Sequence, residues 1–277
     1  MNGAYLFDGA SLGFSDSGSG LPLVLLHPTP LDRDFWRPLC DQLAGVRAIA
    51  PDLRGHGSSQ LGAALPVGGF ARVPDAPVLA IAQLASDVLA LLDHLHLATA
   101  VFAGCSIGGY VLLELWRRAP QRIAGLAFLC SKPQPDAEAN LVRRAATIAQ
   151  ARAGETARLF DGMAQTLLGA TARERRPQLA AQLRARMTLT PQALVAVQAG
   201  LATRPDSEPA VATIDVPVLS IAGGEDPAVA PAEMEAFRAA PGGCESHLLP
   251  DAGHFAAYEQ PQKVAALLAA WLRRFQA

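Results

Sequence analysis

Short apolar runs rich in Val, Leu and Ile alternate along this chain with longer segments whose apolar residues recur at helical spacing, and no other feature restricts the fold as much. The runs "LPLVLLH", "VRAIA", "ATAVFAG" and "RIAGLAFLC" read as strands, and "DFWRPLCDQLA", "IAQLASDVLALLDHL" and "IGGYVLLELWRRA" read as helices. Strands that alternate with helices build βαβ units, and therefore an α/β architecture with a mostly parallel central sheet flanked by helices. The opening "AYLFDGASLGFSDSGSG" sets a turn-forming Asp-Gly between two short segments and predicts a hairpin on the sheet edge.

The alternation stops near Pro133. From there to Pro205 only helical patterns follow, among them "NLVRRAATIAQARAG", "ETARLFDGMAQTLLG" and "TPQALVAVQAGLATR". It resumes with "VPVLSIAGG", a helix near "PAEMEAFRAA", the strand "ESHLLP" and a last helix from about Gln260 to Phe275. The expected organisation is one α/β core, residues 1–132 and 206–277, interrupted by a helical cap at 133–205. Residues 60–78, rich in Gly and Pro, read as a long loop, more simply a surface excursion than a pocket border.

Of the 277 residues, 51% are hydrophobic and 17% charged, enough apolar material for one large core. A formal net charge of -2 lacks the basic excess of a chain that tracks phosphates, so nucleic acid is excluded as a partner class. The segment "MNGAYLFDGA" has neither the basic start nor the apolar run of a secretion signal, and no apolar stretch reaches membrane-span length. A cytoplasmic protein is expected. Cys40, Cys105, Cys130 and Cys244 stand far apart without metal-ligand spacing and read as buried, reduced thiols.

One stretch carries chemistry. In "VFAGCSIGGYVLLELW", Gly104, Ser106 and Gly108 form GxSxG between an apolar strand and an amphipathic helix. A strand turning abruptly into a helix holds its corner residue in a strained conformation, the glycines let the chains pass closely, and the new helix aims free N–H groups at the corner. Ser106 is the candidate nucleophile. Cys105 occupies the neighbouring slot and should point elsewhere.

A serine hydroxyl needs a base, most often a histidine oriented by a carboxylate. His94 and His96 fall on different faces of a helix and read as surface residues; His27 and His56 read as packed, hydrogen-bonded scaffold. The chain order Ser, acid, His leaves His247, inside a strand, and His254, in the loop "DAGHFAAYEQP" beyond it. His254 is the candidate base. Asp226, past the apolar run of "VPVLSIAGGEDPAVAP", is the candidate acid; the adjacent Glu225 would point the other way in an extended loop, and Asp251 suits a local turn.

At these residues the chain resembles the α/β-hydrolase superfamily, in particular the capped branch of carboxylesterases, enol-lactone hydrolases and acyl-homoserine-lactone hydrolases. The resemblance runs nearly the whole length, through "GASLGFSDSGSGLPLVLLH", "APDLRGHGSS", "LASDVLALLDHLHL", "GCSIGGYVLLELWRRAPQRIAGLAFL", "VPVLSIAGGEDPAVAP" and "DAGHFAAYEQP". It implies the α/β-hydrolase fold, with Ser106, Asp226 and His254 matching nucleophile, acid and base. Where the family usually has His-Gly after the first central strand, this chain reads "HPTPLD", and Pro28 has no N–H to donate. By position Thr29 becomes the oxyanion donor, paired with Ile107.

The expected reaction is hydrolysis of a small carboxylic ester or lactone through an acyl-enzyme on Ser106, with no metal or organic cofactor. A cofactor-free lyase, a haloperoxidase, a carbon–carbon bond hydrolase or a binding protein with a vestigial triad is the alternative. Residues 133–205 hold ten arginines, no lysine and five acidic residues. That excess suits a substrate with a carboxylate, although the chain prefers arginine to lysine throughout, which makes solvated helix surfaces the simpler reading. Trp36 and Trp116 read as core.

Overall fold

The structure, a computed structural model, describes residues 1–62 and 65–276. Its framework is an eight-stranded sheet of β1 (Asn2–Phe7), β2 (Ala10–Gly18), β3 (Leu21–Leu26), β4 (Val46–Pro51), β5 (Ala100–Cys105), β6 (Ile123–Leu129), β7 (Val218–Gly223) and β8 (Cys244–Leu249). The spatial order is β1-β2-β4-β3-β5-β6-β7-β8. β1 and β2 form the expected hairpin, with Asp8 and Gly9 both at positive φ (46° and 68°), the conformation a tight two-residue turn needs. β2 joins β4 antiparallel, and every pairing from β4 across to β8 is parallel.

Parallel strands covered on both faces read as unbroken apolar runs, and all six residues of β5 and of β7 are buried. The helix Ile81–His94 turns Ile81, Leu84, Ala85, Val88, Leu91 and Leu92 inward at helical spacing and packs on the helix Ile107–Arg118. A buried bidentate pair ties its outer side to the hairpin: Arg54 donates to both oxygens of Asp87 (2.9 and 2.6 Å), and Tyr5 donates its hydroxyl to the Asp87 carbonyl at 2.7 Å.

Between β6 and β7 the chain is helical: Glu138–Arg152, Thr156–Thr166, Ala170–Arg175, Gln178–Ala185, Pro191–Ala202 and Glu208–Val211. The helix Pro191–Ala202 is mostly apolar and buried from Ala193 to Leu201, Gln198 included, so it forms the middle of this layer, with Glu138–Arg152 packed along it. Ala170–Arg175 and Gln178–Ala185 carry no long apolar stripe, which is why periodicity missed them. The segment read as the helix "DFWRPLCDQLA" is instead a 3-10 turn, Arg33–Trp36, and a single α-turn, Arg37–Cys40.

In the long loop, Ala63 and Ala64 lie outside the described residues. The loop's end docks under the helical layer, where Leu79 donates its N–H to the Ala196 carbonyl at 3.0 Å. Among the described residues no helix is long and apolar enough to cross a membrane.

The parallel register aligns Leu26 with Gly104, Cys105 with Leu129, Leu129 with Ile221, and Gly223 with Leu249. Residues immediately after β3, β5, β6, β7 and β8 therefore meet along one rim, where the strand order reverses and ligands bind in open α/β sheets.

Candidate functional site

Ser106 is the single residue between β5 and the helix Ile107–Arg118, and it stands at φ 53°, ψ -116°. A non-glycine residue holds that conformation only where its surroundings force it. Crowding supplies the force: a Cβ on Gly108 would lie 2.2 Å from the Leu26 carbonyl oxygen, and one on Gly104 would lie 2.5 Å from the Gly108 carbonyl carbon. The two glycines let the helix press its N-terminus onto the sheet and leave Ser106 as the projecting corner. Its N–H donates to the Leu129 carbonyl at 3.0 Å, and its carbonyl accepts from Ser131 Oγ at 2.9 Å.

His254 and Asp226 meet across two loops. Nδ1 of His254 lies 2.8 Å from Oδ2 of Asp226 and 3.0 Å from Oδ1, and Oδ1 also accepts the N–H groups of Ala228 (2.8 Å) and Val229 (3.0 Å). Both oxygens thus face donors, so the imidazole proton of the pair sits on Nδ1 and leaves Nε2 free to accept. The pair is almost sealed from water, with side-chain exposures of 5% and 0%. Ser106, His254 and Thr29 line one cavity of about 400 Å³, a volume suited to a small molecule.

Thr29 is held from both sides. The Pro28 carbonyl accepts from Leu31 N–H (3.0 Å) and His27 Nδ1 (3.0 Å), while Thr29 Oγ1 lies 3.0 Å from His56 Nε2. The Thr29–Pro30 bond is cis. Among the described residues, neither the Thr29 nor the Ile107 N–H has a protein acceptor. Two backbone donors near the corner are therefore uncommitted.

The two buried histidines serve as struts. His27 Nε2 accepts the Leu53 N–H at 2.9 Å, and His56 Nδ1 donates to the Arg54 carbonyl at 3.0 Å, so each neutral ring uses one donor and one acceptor. Burial pushes both imidazoles below their ordinary range, His56 to about 3, aided there by neighbouring His27. His94 lies exposed against the Tyr5 ring at the end of its helix, His96, expected on that helix, stands two residues past it at φ 53°, and His247 Nε2 pairs with Glu245 Oε1 at 2.8 Å on β8.

The rivals point away. Glu225 accepts the Thr171 N–H (2.8 Å) and hydroxyl (2.7 Å), and these hydrogen bonds hold its carboxyl below the usual range. Cys105 is fully buried, burial pushes its thiol well up, and Sγ contacts the His254 carbonyl at 3.6 Å. Cys130 Sγ similarly faces the Gly253 carbonyl at 3.5 Å, and both thiols are buried as expected, whereas Cys40 and Cys244, expected to be buried, are only half-buried.

Two residues at the rim escaped the sequence reading. Glu259, wholly buried, accepts the N–H groups of Gly169 (3.1 Å), Gly253 (2.9 Å) and Phe255 (3.1 Å). Burial raises its carboxyl, and those N–H bonds oppose the rise. Its signal was a lone charge inside the apolar "HFAAYEQP". Lys132, one of only two lysines, follows β6, lines the cavity and pairs with Glu233. Of the ten arginines at 133–205, Arg143 and Arg144 line the cavity; Arg144 is paired with Asp136.

The sequence profile of the alpha/beta hydrolase family matches residues 23–267. Among solved structures, a thermophilic esterase from Thermogutta terrifontis superposes with a TM-score of 0.87 at 30% identity, covering 97% of this chain and 95% of that one. The 3-oxoadipate enol-lactonase 2 of Acinetobacter baylyi is 29% identical over 239 residues, 82% of this chain and 79% of the relative. A shorter match reaches the dihydrolipoyllysine-residue acetyltransferase component of the acetoin cleaving system of Pseudomonas putida, 42% identical over 113 residues. It spans 40% of this chain and 27% of that protein.

Proposed function

This chain belongs to the alpha/beta hydrolase family, on its esterase and lactonase branch, and from that premise we propose that it hydrolyses small carboxylic esters or lactones through an acyl-enzyme on Ser106. The observation that carries the reading is the buried His254–Asp226 hydrogen bond of 2.8 Å, which occupies Nδ1 and leaves Nε2 as the free ring nitrogen of a residue lining the same cavity as the strained Ser106 corner.

Ser106 Oγ attacks the acyl carbonyl while His254 Nε2 takes its proton. Asp226 holds the ring and balances the imidazolium, and the N–H groups of Thr29 and Ile107 bind the oxyanion. The C–O bond of the leaving alcohol then breaks, and the alcohol departs with the proton from His254. A water molecule, deprotonated by the same nitrogen, attacks the acyl-serine to release the acid and restore the hydroxyl. The helices between β6 and β7 act as a cap that shapes specificity.

The lining favours acyl groups that bear a carboxylate. Lys132, Arg143 and Arg144 face the cavity; Glu233 pairs with Lys132 and Asp136 with Arg144, so among the described residues Arg143, which donates to Asn140 Oδ1, is the one of the three with no carboxylate partner. The test is a paired panel, p-nitrophenyl butyrate against the p-nitrophenyl half-ester of glutaric acid, each run beside Ser106→Ala. The expected result is a p-nitrophenol burst stoichiometric with enzyme that Ser106→Ala abolishes, and a higher kcat/KM for the half-ester. Ligand binding without turnover in the wild type would overturn the hydrolase reading; equal kcat/KM for the two esters would remove only the carboxylate preference.

A further inference from the structure

The loops that carry Asp226 and His254 are fastened to the same short stretch of the helical layer. Leu167 accepts the His254 N–H at 2.9 Å through its carbonyl. Gly169 donates its N–H to Glu259 Oε2 at 3.1 Å, and the same oxygen accepts from Gly253, the residue before His254, at 2.9 Å. Thr171 binds Glu225, the residue before Asp226, through both its N–H and its hydroxyl. The backbones are pressed together at this point, since a Cβ on Gly253 would lie 2.2 Å from the Gly169 nitrogen.

We propose that Glu225 and Glu259 are positioning residues, which lock residues 167–171 onto both loops so that seating of the helical layer sets the relative placement of Asp226 and His254. The inference rests on Ser106, His254 and Asp226 being the reacting groups. One carboxylate oxygen of Glu259 bridges the helical layer and the base loop, so a displacement of Gly169 is passed directly to Gly253. Met163, Thr166 and Leu167 line the cavity immediately ahead of the clamp. A substrate that presses on them therefore acts on the base through backbone hydrogen bonds, without touching it. Burial and three N–H donors make Glu259 the stronger half of the clamp; Glu225, partly exposed, is the half that can be removed without opening the core.

The test compares Glu225→Ala, Glu225→Asp, Glu259→Gln and a control, Arg186→Ala, which cuts a different tie between the helical layer and the core, the 3.0 Å pair with Asp34. Burst and steady-state kinetics on the p-nitrophenyl ester are read together with amide hydrogen exchange. Misplacing a catalytic group by a fraction of an ångström costs roughly ten- to a hundredfold in turnover. The expected result for Glu225→Ala is a loss of kcat and burst rate of about that size with KM within about twofold, partly rescued in Glu225→Asp. Exchange should quicken at 253–255 and 167–171 together. Glu259→Gln, where an amide NH2 must face a backbone N–H, should show the same pattern more strongly, while Arg186→Ala keeps the wild-type kcat. A rise in KM alone for Glu225→Ala, or an equal loss of kcat in Arg186→Ala, would overturn the clamp. If the wild type shows no Ser106-dependent turnover, the hydrolase reading fails on its own, and unchanged exchange at 253–255 in Glu225→Ala would still refute the clamp.

Discussion

Asp226 turns both oxygens toward His254 but ties only Oδ1 to backbone N–H groups, and that asymmetry fixes what a single-atom change does. Oδ1 accepts two backbone N–H groups, so in Asp226→Asn the amide oxygen must take its place and the NH2 must occupy the Oδ2 position, 2.8 Å from His254 Nδ1. The imidazole would then have to accept at Nδ1 and carry its proton on Nε2, the wrong tautomer for a base. The expected outcome is a kcat loss of roughly a thousand- to ten-thousandfold with the fold intact, read from ester turnover and circular dichroism. At this scale the contact of Asp226 with His254 was legible because chain order and strand ends restricted each to one loop. Glu259 was not legible: nothing in a lone carboxylate five residues past His254 reveals that three backbone donors converge on it.

Elements differ in how much room they leave for a side chain, and glycines report it. Gly108 lies where the helix Ile107–Arg118 meets the Leu26 carbonyl, and a methyl there must drive helix and β3 apart. Gly162, inside the helix Thr156–Thr166, faces open space. Gly108→Ala should therefore destabilise by about 1–3 kcal/mol and reduce burst amplitude by disturbing the Ser106 corner, whereas Gly162→Ala should stabilise by about 0.5–1 kcal/mol. Urea midpoints of the two variants check both signs. Strands and long helices were readable from the sequence because burial imposes a period on their apolar residues. The turns at Arg33–Cys40 and the helices at 170–185 were not, being too short for a period and held by contacts from distant parts of the chain.

For the whole molecule, the buried histidines make stability depend on pH. The folded His56 titrates near 3 against an ordinary 6.5, so below about pH 6.5 the unfolded chain binds a proton that the native chain refuses. Its contribution is complete above that pH and falls by about 1.4 kcal/mol per unit as the pH drops toward 3. Asp32, raised to about 6 by burial, has the opposite sign between its ordinary 3.8 and 6, which makes the total slope shallower. Urea unfolding from pH 4 to 7 should show stability declining with acid in the wild type, and His56→Gln should flatten that dependence even if it lowers stability at pH 7. An unchanged slope in the variant would remove His56 from the account. The architecture itself was legible from alternation alone, whereas the electrostatics required knowing that His27 and His56 are buried side by side, 5.1 Å apart.

The helices from Glu138 to Val211 leave the sheet after β6 and return into β7, two strands that lie side by side. Their points of departure and return are neighbours, so the whole block hangs from one doorway in the scaffold. A lineage or an engineer can graft a block of different length there without re-registering a single strand. The graft must still offer backbone donors where Gly169 and Thr171 now stand, and that requirement limits which foreign blocks the scaffold will accept.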